Sequence, residues 1–163
     1  MSQILVINPN SNESVTEGLR ESLQKFNSSA VDIKCCTLED GPFGVETDED
    51  IVNVIPLVVQ RISESPEFDA YVIACYSDPG LAKCNKLFSK PVFGMQRSAI
   101  EKAISTGERF GVLALSEQSI KRHMAYIRGL GLDGQLAGEL PLDISVDEAS
   151  NDAGSFEKIV SQG

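Results

Sequence analysis

A cysteine, Cys75, lies where a short apolar run of the sequence gives way to a turn. The run from Asp69 to Ala74 predicts a buried strand, and the Ser-Asp-Pro-Gly segment that follows predicts an abrupt turn into a helix. Asp78 is expected to cap that helix, and Pro79 suits its first turn. The positive end of a helix stabilises a thiolate, although the Asp78 carboxylate opposes this effect. Cys75 is therefore a candidate reactive thiol.

The alternative for Cys75 is a small apolar core residue, which is the commoner role of a cysteine in a strand. Residues 75–80, termed the cysteine loop, follow the C-terminal end of the predicted strand. Open α/β sheets bind their ligands at that edge. From its surroundings alone, Cys75 is thus as consistent with catalysis as with the core.

Short apolar runs alternate with longer amphipathic ones along most of the chain. Strands are predicted near residues 3–7, 31–37, 69–74, 92–93 and 110–115. Helices are predicted near residues 13–26, 49–64, 79–88, 97–104 and 117–128. This order predicts an α/β fold, in which a parallel sheet carries helices on both faces and binds ligands at the C-terminal ends of its strands.

Polar side chains follow two further predicted strands. In residues 8–12, termed the asparagine loop, Asn12 is a good helix N-cap, whereas Asn8 and Asn10 are candidates for ligand contact. Gln96 and Arg97 follow the fourth strand, where they could hold a ligand carboxylate or ureide. The alternative for Arg97 is a surface ion pair.

Two other features are not assigned to catalysis. Gly41-Pro42-Phe43-Gly44 lacks the lysine of a phosphate-binding loop and is interpreted as a flap over the site. His123 is the single histidine, and it stands among basic residues on an amphipathic helix. A solvated histidine on the helix face is favoured over a general base.

Composition narrows the classes of partner. The net charge is −10, from 14 basic and 24 acidic residues, and no basic cluster stands out. This composition argues against binding to nucleic acid or to anionic membranes. Neither a secretory leader nor a membrane-length apolar stretch is visible. The four cysteines lack the spacing of a disulfide framework or a zinc site, so we expect a cytoplasmic protein without a bound metal.

The pattern weakens after Gly129. Leu140–Val146 is only a possible strand, and Ala153–Val160 resembles the start of a helix. The apolar residues of this last helix would be poorly buried at the end of a sheet. We therefore expect the sequence to be an incomplete view of a longer chain. The predicted division is a first lobe at residues 1–109 and an incomplete second lobe at residues 110–163.

Several of these motifs together resemble the hydantoin racemases of the aspartate/glutamate racemase superfamily. The resemblance covers most of the chain and rests on Ile7-Asn8-Pro9-Asn10-Ser11, on Ala74-Cys75 through Asp78-Pro79-Gly80-Leu81, on Pro91-Val92-Phe93-Gly94, and on Phe110 to Gly131. It implies cofactor-independent racemisation of a cyclic ureide or related amino-acid derivative by a homo-oligomer, at a site where two lobes face each other. Each lobe of such an enzyme supplies one cysteine.

Two thiols suit this reaction because inversion removes a proton from one face of a carbon and delivers another to the opposite face. By resemblance Cys75 occupies the first cysteine position, and no residue matches the second. Charge that develops on the neighbouring carbonyl oxygen needs hydrogen-bond donors, for which backbone N–H groups, Asn8, Asn10 and Ser77 are candidates. Asp78, Gln96 and Arg97 complete the predicted substrate-binding set.

Two alternatives remain open at this level. The chain could be a ureide- or amino-acid-binding protein without turnover, or a truncated racemase that lacks the second thiol. A thiol redox protein is less favoured, because no resolving cysteine stands at C-x-x-C spacing from Cys75.

Overall fold

The computed structural model describes residues 1–150 and 155–162. The strands are β1 (Ser2–Asn8), β2 (Val31–Thr37), β3 (Ala70–Ile73), β4 (Val92–Gly94), β5 (Phe110–Ala114) and β6 (Leu136–Pro141). The helices are α1 (Glu13–Leu23), α2 (Asp48–Ser63), α3 (Leu81–Leu87), α4 (Met95–Thr106), α5 (Glu117–Gly129), α6 (Val146–Ser150) and α7 (Ser155–Gln162). The chain divides into two compact units, Met1–Arg97 and Ser98–Gly163. This division falls within α4, whereas the predicted lobe boundary lies after residue 109.

The first unit is built on a parallel sheet with the strand order β2-β1-β3-β4. The chain leaves β1 for β2 on one side and then returns to place β3 on the other side of β1. The strand order therefore reverses between β1 and β3, and in open α/β sheets such a reversal opens a crevice outside the carboxyl ends of the two strands.

Helices pack on both faces of this sheet. On one face, apolar side chains of β1 and β3 form a core with α2 and α3; its buried members include Leu5, Ile7, Val58, Ile62, Tyr71, Ile73 and Cys84. On the opposite face, the side chain of Asn8 bonds to Thr16 of α1. Alternation along β1 explains the difference, because successive side chains of a strand point to opposite faces.

The second unit contains a two-stranded parallel sheet of β5 and β6, joined through α5. Ile100, Phe110 and Ile127 form its buried apolar cluster. α5 begins with a capping box, in which the Ser116 and Ser119 side chains each bond to the other residue's backbone.

The sequence predictions for β1 to β5 and α1 to α5 are confirmed within a few residues, and so is the α/β class. The possible strand at Leu140–Val146 is wrong in its bounds, because β6 ends at Pro141 and Val146 begins α6. The C-terminal part of this prediction fails at Asp143, whose φ of +51° turns the chain out of the extended conformation. The predicted C-terminal helix is found as α7, and its expected start at Ala153 lies outside the described residues.

Across residues 1–150 and 155–162, none of the helices has the length and apolar character needed to cross a membrane.

Candidate functional site

Two loops and the first turn of α4 start side by side at the carboxyl edge of the first sheet. In the strand register, Ile7 of β1 pairs with Ile73 of β3, which pairs with Gly94 of β4. The asparagine loop, the cysteine loop and the start of α4 therefore begin at the same level of three adjacent strands. The predicted site residues of these three segments share one edge, and the reversal of strand order lies between the first two.

Cys75 is the second residue after β3, and it is partly exposed. The preceding Ala74 N–H still donates to the Ile7 carbonyl at 2.8 Å, so the cysteine loop leaves the sheet directly beside β1. The Asp78 N–H then donates to the Cys75 carbonyl at 3.0 Å, which closes a turn. This turn holds the thiol at the edge of the sheet, and Ser77 within it is also partly exposed.

The other three cysteines lie in different surroundings. Cys84 of α3 is fully buried in the core, and Cys35 and Cys36 are in β2. Burial raises the pKa of all three thiols above the ordinary value. They hold their protons more firmly at neutral pH, so they are weak candidates for a thiolate base. No disulfide joins any of the four cysteines within the described part of the chain.

The Asn8 side chain organises the asparagine loop from inside. Its Nδ2 lies 2.8 Å from Asn10 Oδ1, 3.2 Å from the Asn12 carbonyl and 3.0 Å from Thr16 Oγ1, and its Oδ1 accepts from the Asn10 N–H at 3.2 Å. Asn8 is 0% exposed. Because both ends of its amide are bonded within the protein, Asn8 acts here as the support of the loop.

Asn10 and Asn12 use their amides differently. Asn12 caps α1, as predicted, because its side chain accepts from the Ser14 N–H at 3.0 Å. Asn10 Oδ1 accepts from the Asn12 N–H at 3.0 Å as well as from Asn8. These bonds leave Asn10 Nδ2 without an intramolecular acceptor in residues 1–150 and 155–162. Of the two predicted contact residues in this loop, Asn10 is the one with a donor to offer.

Asp78 caps a helix other than the predicted one. The N-cap of α3 is Gly80, with a φ of +80° and no side-chain cap. The Asp78 carboxylate instead accepts from the backbone N–H of Gln96 at 2.9 Å and of Arg97 at 2.8 Å, in the first turn of α4. Sequence spacing predicts caps within one segment and could not identify a cap supplied from the end of a neighbouring strand. Burial raises the pKa of Asp78, and the N–H donors of Arg97 and Gln96 counteract part of this rise.

Gln96 and Arg97 have opposite environments although they are adjacent. Gln96 is 1% exposed, and its Nε2 has no hydrogen-bond partner among the described residues. Arg97 is exposed. A buried amide donor at the ligand edge of a sheet costs free energy unless something bonds to it. Gln96 is therefore the member of this pair that a bound ligand would stabilise.

The prediction of a solvated His123 is wrong. The residue is 5% exposed, and its Nδ1 lies 3.1 Å from Oε2 of Glu139 in β6. Its basic neighbours Lys121 and Arg122 lie on other faces of α5, and a helical period places His123 on the same inner face as Ser119 and Ile127. The described residues hold no group of three or more His, Cys, Asp or Glu side chains suited to bind a metal.

Some contributing residues were missed by the sequence reasoning. Thr16 and Thr37 extend the network of Asn8, with 2.6 Å between their hydroxyl oxygens. Thr37 is paired with Asn8 in the register of β1 and β2, so its place as the last residue of a neighbouring strand was the available signal. Gly94 belongs to a motif of the resemblance, but its role was missed: a Cβ at this position would lie 2.3 to 2.5 Å from the carboxylate atoms of Asp78.

Comparisons with known proteins agree with this architecture. A family model described as Asp/Glu/Hydantoin racemase matches residues 4–162, and the chain belongs to this family. A hydantoin racemase of Paenarthrobacter aurescens is 31% identical over 83% of this chain and 58% of its own length. A hydantoin racemase of Pseudomonas sp. (strain NS671) is 33% identical over 69% of this chain and 46% of its own length. The chain thus spans about half the length of these curated relatives.

Solved structures show the same fold. An allantoin racemase from Klebsiella pneumoniae superposes with a TM-score of 0.93 at 23% sequence identity, over 99% of this chain and 67% of the other. At this identity the likeness establishes the α/β racemase fold.

Proposed function

We propose that the chain provides one catalytic face of a cofactor-independent racemase that acts on 5-substituted hydantoins or allantoin-like cyclic ureides. The hydantoin and allantoin racemases among its relatives support the reaction class. The observation that carries the proposal is the place of Cys75, a partly exposed thiol beside the point where the strand order of the first sheet reverses.

In the proposed reaction, the Cys75 thiolate removes the proton from the ring carbon that bears the substituent. The C–H bond breaks, an S–H bond forms, and the electron pair moves onto the adjacent carbonyl oxygen. A proton delivered to the opposite face then completes inversion, and a second acid must supply it. Cys75 is the one thiol to which we assign a role, and the second acid is not assigned to any described residue.

Donors near the carbonyl oxygen would stabilise the developing negative charge. Asn10 is the strongest candidate in the asparagine loop, because its Nδ2 has no acceptor in the described part of the protein. Gln96 Nε2 is a second candidate, as a buried donor without a partner among the described residues. Ser77 is partly exposed and Arg97 is exposed at the same edge, and we propose that they contact the ring substituent or the ureide.

The cellular setting follows from the same proposal. We place the protein in the cytoplasm, as a homo-oligomer whose partner is a small molecule. The thiol chemistry needs reducing conditions, and the four cysteines form no disulfide in the described residues.

The test is deuterium exchange at the ring carbon, followed by proton NMR for each enantiomer of 5-substituted hydantoins and of allantoin. Uncatalysed exchange is measured without protein and subtracted. We expect Cys75→Ser to lower the catalysed rate by about 10²- to 10⁴-fold, because serine is a far weaker acid at this position. Cys35→Ser is the matched control, since Cys35 is also partly exposed but lies in β2, and it should retain the rate.

The outcomes separate the alternatives. Exchange with inversion that is lost in Cys75→Ser supports the racemase. Exchange of one enantiomer without inversion indicates a half-site that lacks the opposite acid. Ligand binding with no exchange above background contradicts the enzyme and leaves a binding protein.

A further inference from the structure

The Asp78 carboxylate joins the cysteine loop to the first turn of α4 at the carboxyl edge of the sheet. Asp78 belongs to the cysteine loop, and its Oδ1 and Oδ2 accept from the N–H groups of Gln96 and Arg97 at the start of α4. Its own backbone N–H bonds to the Cys75 carbonyl, and its carbonyl accepts from Leu81 at 3.1 Å. A single residue thus connects the turn that carries the thiol to the end of the neighbouring strand.

The backbone of Asp78 adopts a conformation that non-glycine residues rarely occupy, with a φ of +45°. Left-handed conformations cost free energy for residues other than glycine, and aspartate tolerates them better than most. The two hydrogen bonds to α4 offset this cost. They also place a carboxylate at the positive end of a helix, which is a favourable charge arrangement.

Gly94 makes room for this arrangement. A Cβ built at Gly94 would lie 2.3 Å from Asp78 Cγ and within 2.5 Å of both carboxylate oxygens. The carboxylate could move away only by giving up its bonds to the first turn of α4. Any side chain at position 94 therefore conflicts with the same contact that Asp78 makes.

We propose that Asp78 is a positioning residue for Cys75, which anchors the cysteine loop to the first turn of α4 through a space that Gly94 leaves open. This inference rests on the proposed function of Cys75. It differs from the predicted role of Asp78 in binding substrate, since the residue is 6% exposed and both carboxylate oxygens are bonded to the backbone.

The test compares Asp78→Ala, Gly94→Ala and the double variant in the deuterium-exchange assay. Each single variant releases the anchor, so we expect kcat to fall by about 10- to 100-fold, with KM changed by less than about threefold, because a displaced base loses geometry before it loses affinity. The double variant should lose no more than the worse single variant, because the same contact is removed twice. Asp78→Asn keeps one acceptor oxygen and should give an intermediate loss.

Asp143→Ala is the matched control. Asp143 is also an aspartate with positive φ, at +51°, but it is exposed and belongs to the second unit. It should keep kcat within about twofold of the parent. Circular dichroism establishes that each variant is folded, and Asp78→Asn serves as the conservative variant if Asp78→Ala does not fold.

A second readout does not depend on turnover. Alkylation of each cysteine by iodoacetamide, followed by peptide mass spectrometry over a range of pH, reports the setting of every thiol separately. We expect Asp78→Ala and Gly94→Ala to change the Cys75 alkylation rate by at least about threefold at fixed pH. The rates of Cys36 and Cys84 should stay constant and serve as internal references.

The two failures are distinguishable. If the parent protein catalyses no exchange, the proposed function fails. The alkylation rates still test whether Asp78 positions Cys75. An unchanged Cys75 alkylation rate in the folded variants overturns the proposal. So does a rise in KM at constant kcat, which would place Asp78 in direct contact with substrate, or losses in the two single variants that add in the double variant.

Discussion

Buried polar side chains are held differently in the two units. In the first unit, Asn8 and Asp78 bond mainly to loop and helix backbone and to neutral neighbouring side chains at the carboxyl edge of the sheet. In the second unit, His123 of α5 bonds to Glu139 of β6, and these two side chains are 6% and 1% exposed. Glu139 Oε1 has no partner among the described residues.

In the first unit these buried side chains define the course of loops, whereas in the second unit they connect a helix to a strand. Amides and carboxylates that bond to backbone N–H and carbonyl groups fix the course of a loop, and they do so where ligands bind in this fold. A buried ionisable pair between a helix and a strand connects the two elements. Removal of one member leaves the other buried without its partner, which lowers the stability of the fold. We therefore expect substitutions in the second unit to act on stability and those in the first unit to act on loop geometry as well.

The largest expected effect is that of removing the interaction between His123 and Glu139. His123→Leu leaves the buried Glu139 carboxylate without a partner in the described residues and should lower the free energy of unfolding by about 3 kcal/mol. Urea denaturation measures it. The double variant His123→Leu/Glu139→Leu is the control, and it should recover most of the loss because no buried carboxylate remains. Equal losses in the single and double variants would show that the pair is not the source.

A smaller effect is expected when the side-chain N–H donor of Asn8 is replaced by an acceptor. Asn8→Asp replaces an amide nitrogen that faces three acceptors with a carboxylate oxygen, so we expect a loss of about 2 to 3 kcal/mol. Asn53→Asp on the exposed side of α2 is the control and should change stability by less than about 0.5 kcal/mol. A neutral Asn8→Asp would contradict the assignment of Asn8 as the support of this loop.

The close approach of Gly41 to the asparagine loop is the next test. A Cβ at Gly41 would lie 2.5 Å from the Pro9 carbonyl oxygen, which is backbone and cannot swing aside. Gly41→Ala should therefore cost about 2 kcal/mol, by overpacking. Gly18→Ala in α1 has the opposite expectation, a gain of about 0.5 to 1 kcal/mol, because its added methyl meets nothing within 4 Å. Thermal unfolding of both variants decides, and a stabilised Gly41→Ala would contradict the close approach.

The smallest effect is a pH dependence of the first unit. Burial raises the pKa of Asp78 above its unfolded value, so the folded protein binds this proton more readily than the unfolded chain. Its contribution to stability is complete below the unfolded pKa and is lost as the pH rises through the folded pKa. Asp78→Asn should remove this loss, which makes the stability curve of the variant flatter on the acid side of neutrality. Denaturation at several pH values measures the difference, and parallel curves would contradict it.

The elements of the first unit could be predicted largely from the sequence. The apolar run before Cys75 has the length of a buried strand, and the apolar residues of α2 recur at the helical period of 3.6 residues, so local patterns carry both signals directly. Asn12 was identified as a cap for the same reason, since its partner Ser14 is two residues away. The boundaries of β6 were harder, because a short, half-exposed strand that contains Gly138 has a weak pattern.

The sequence by itself determined which residues could do chemistry and that they follow the ends of three strands, because apolar strand runs and turn residues are local properties. Only the tertiary structure decided their neighbours. The strand order brought β1 beside β3, the carboxylate of Asp78 was directed to α4 instead of α3, and His123 was buried against Glu139. These outcomes depend on contacts between residues 16 to 66 positions apart, such as Gln3 with Asp69 and His123 with Glu139, and no local pattern in the sequence records them.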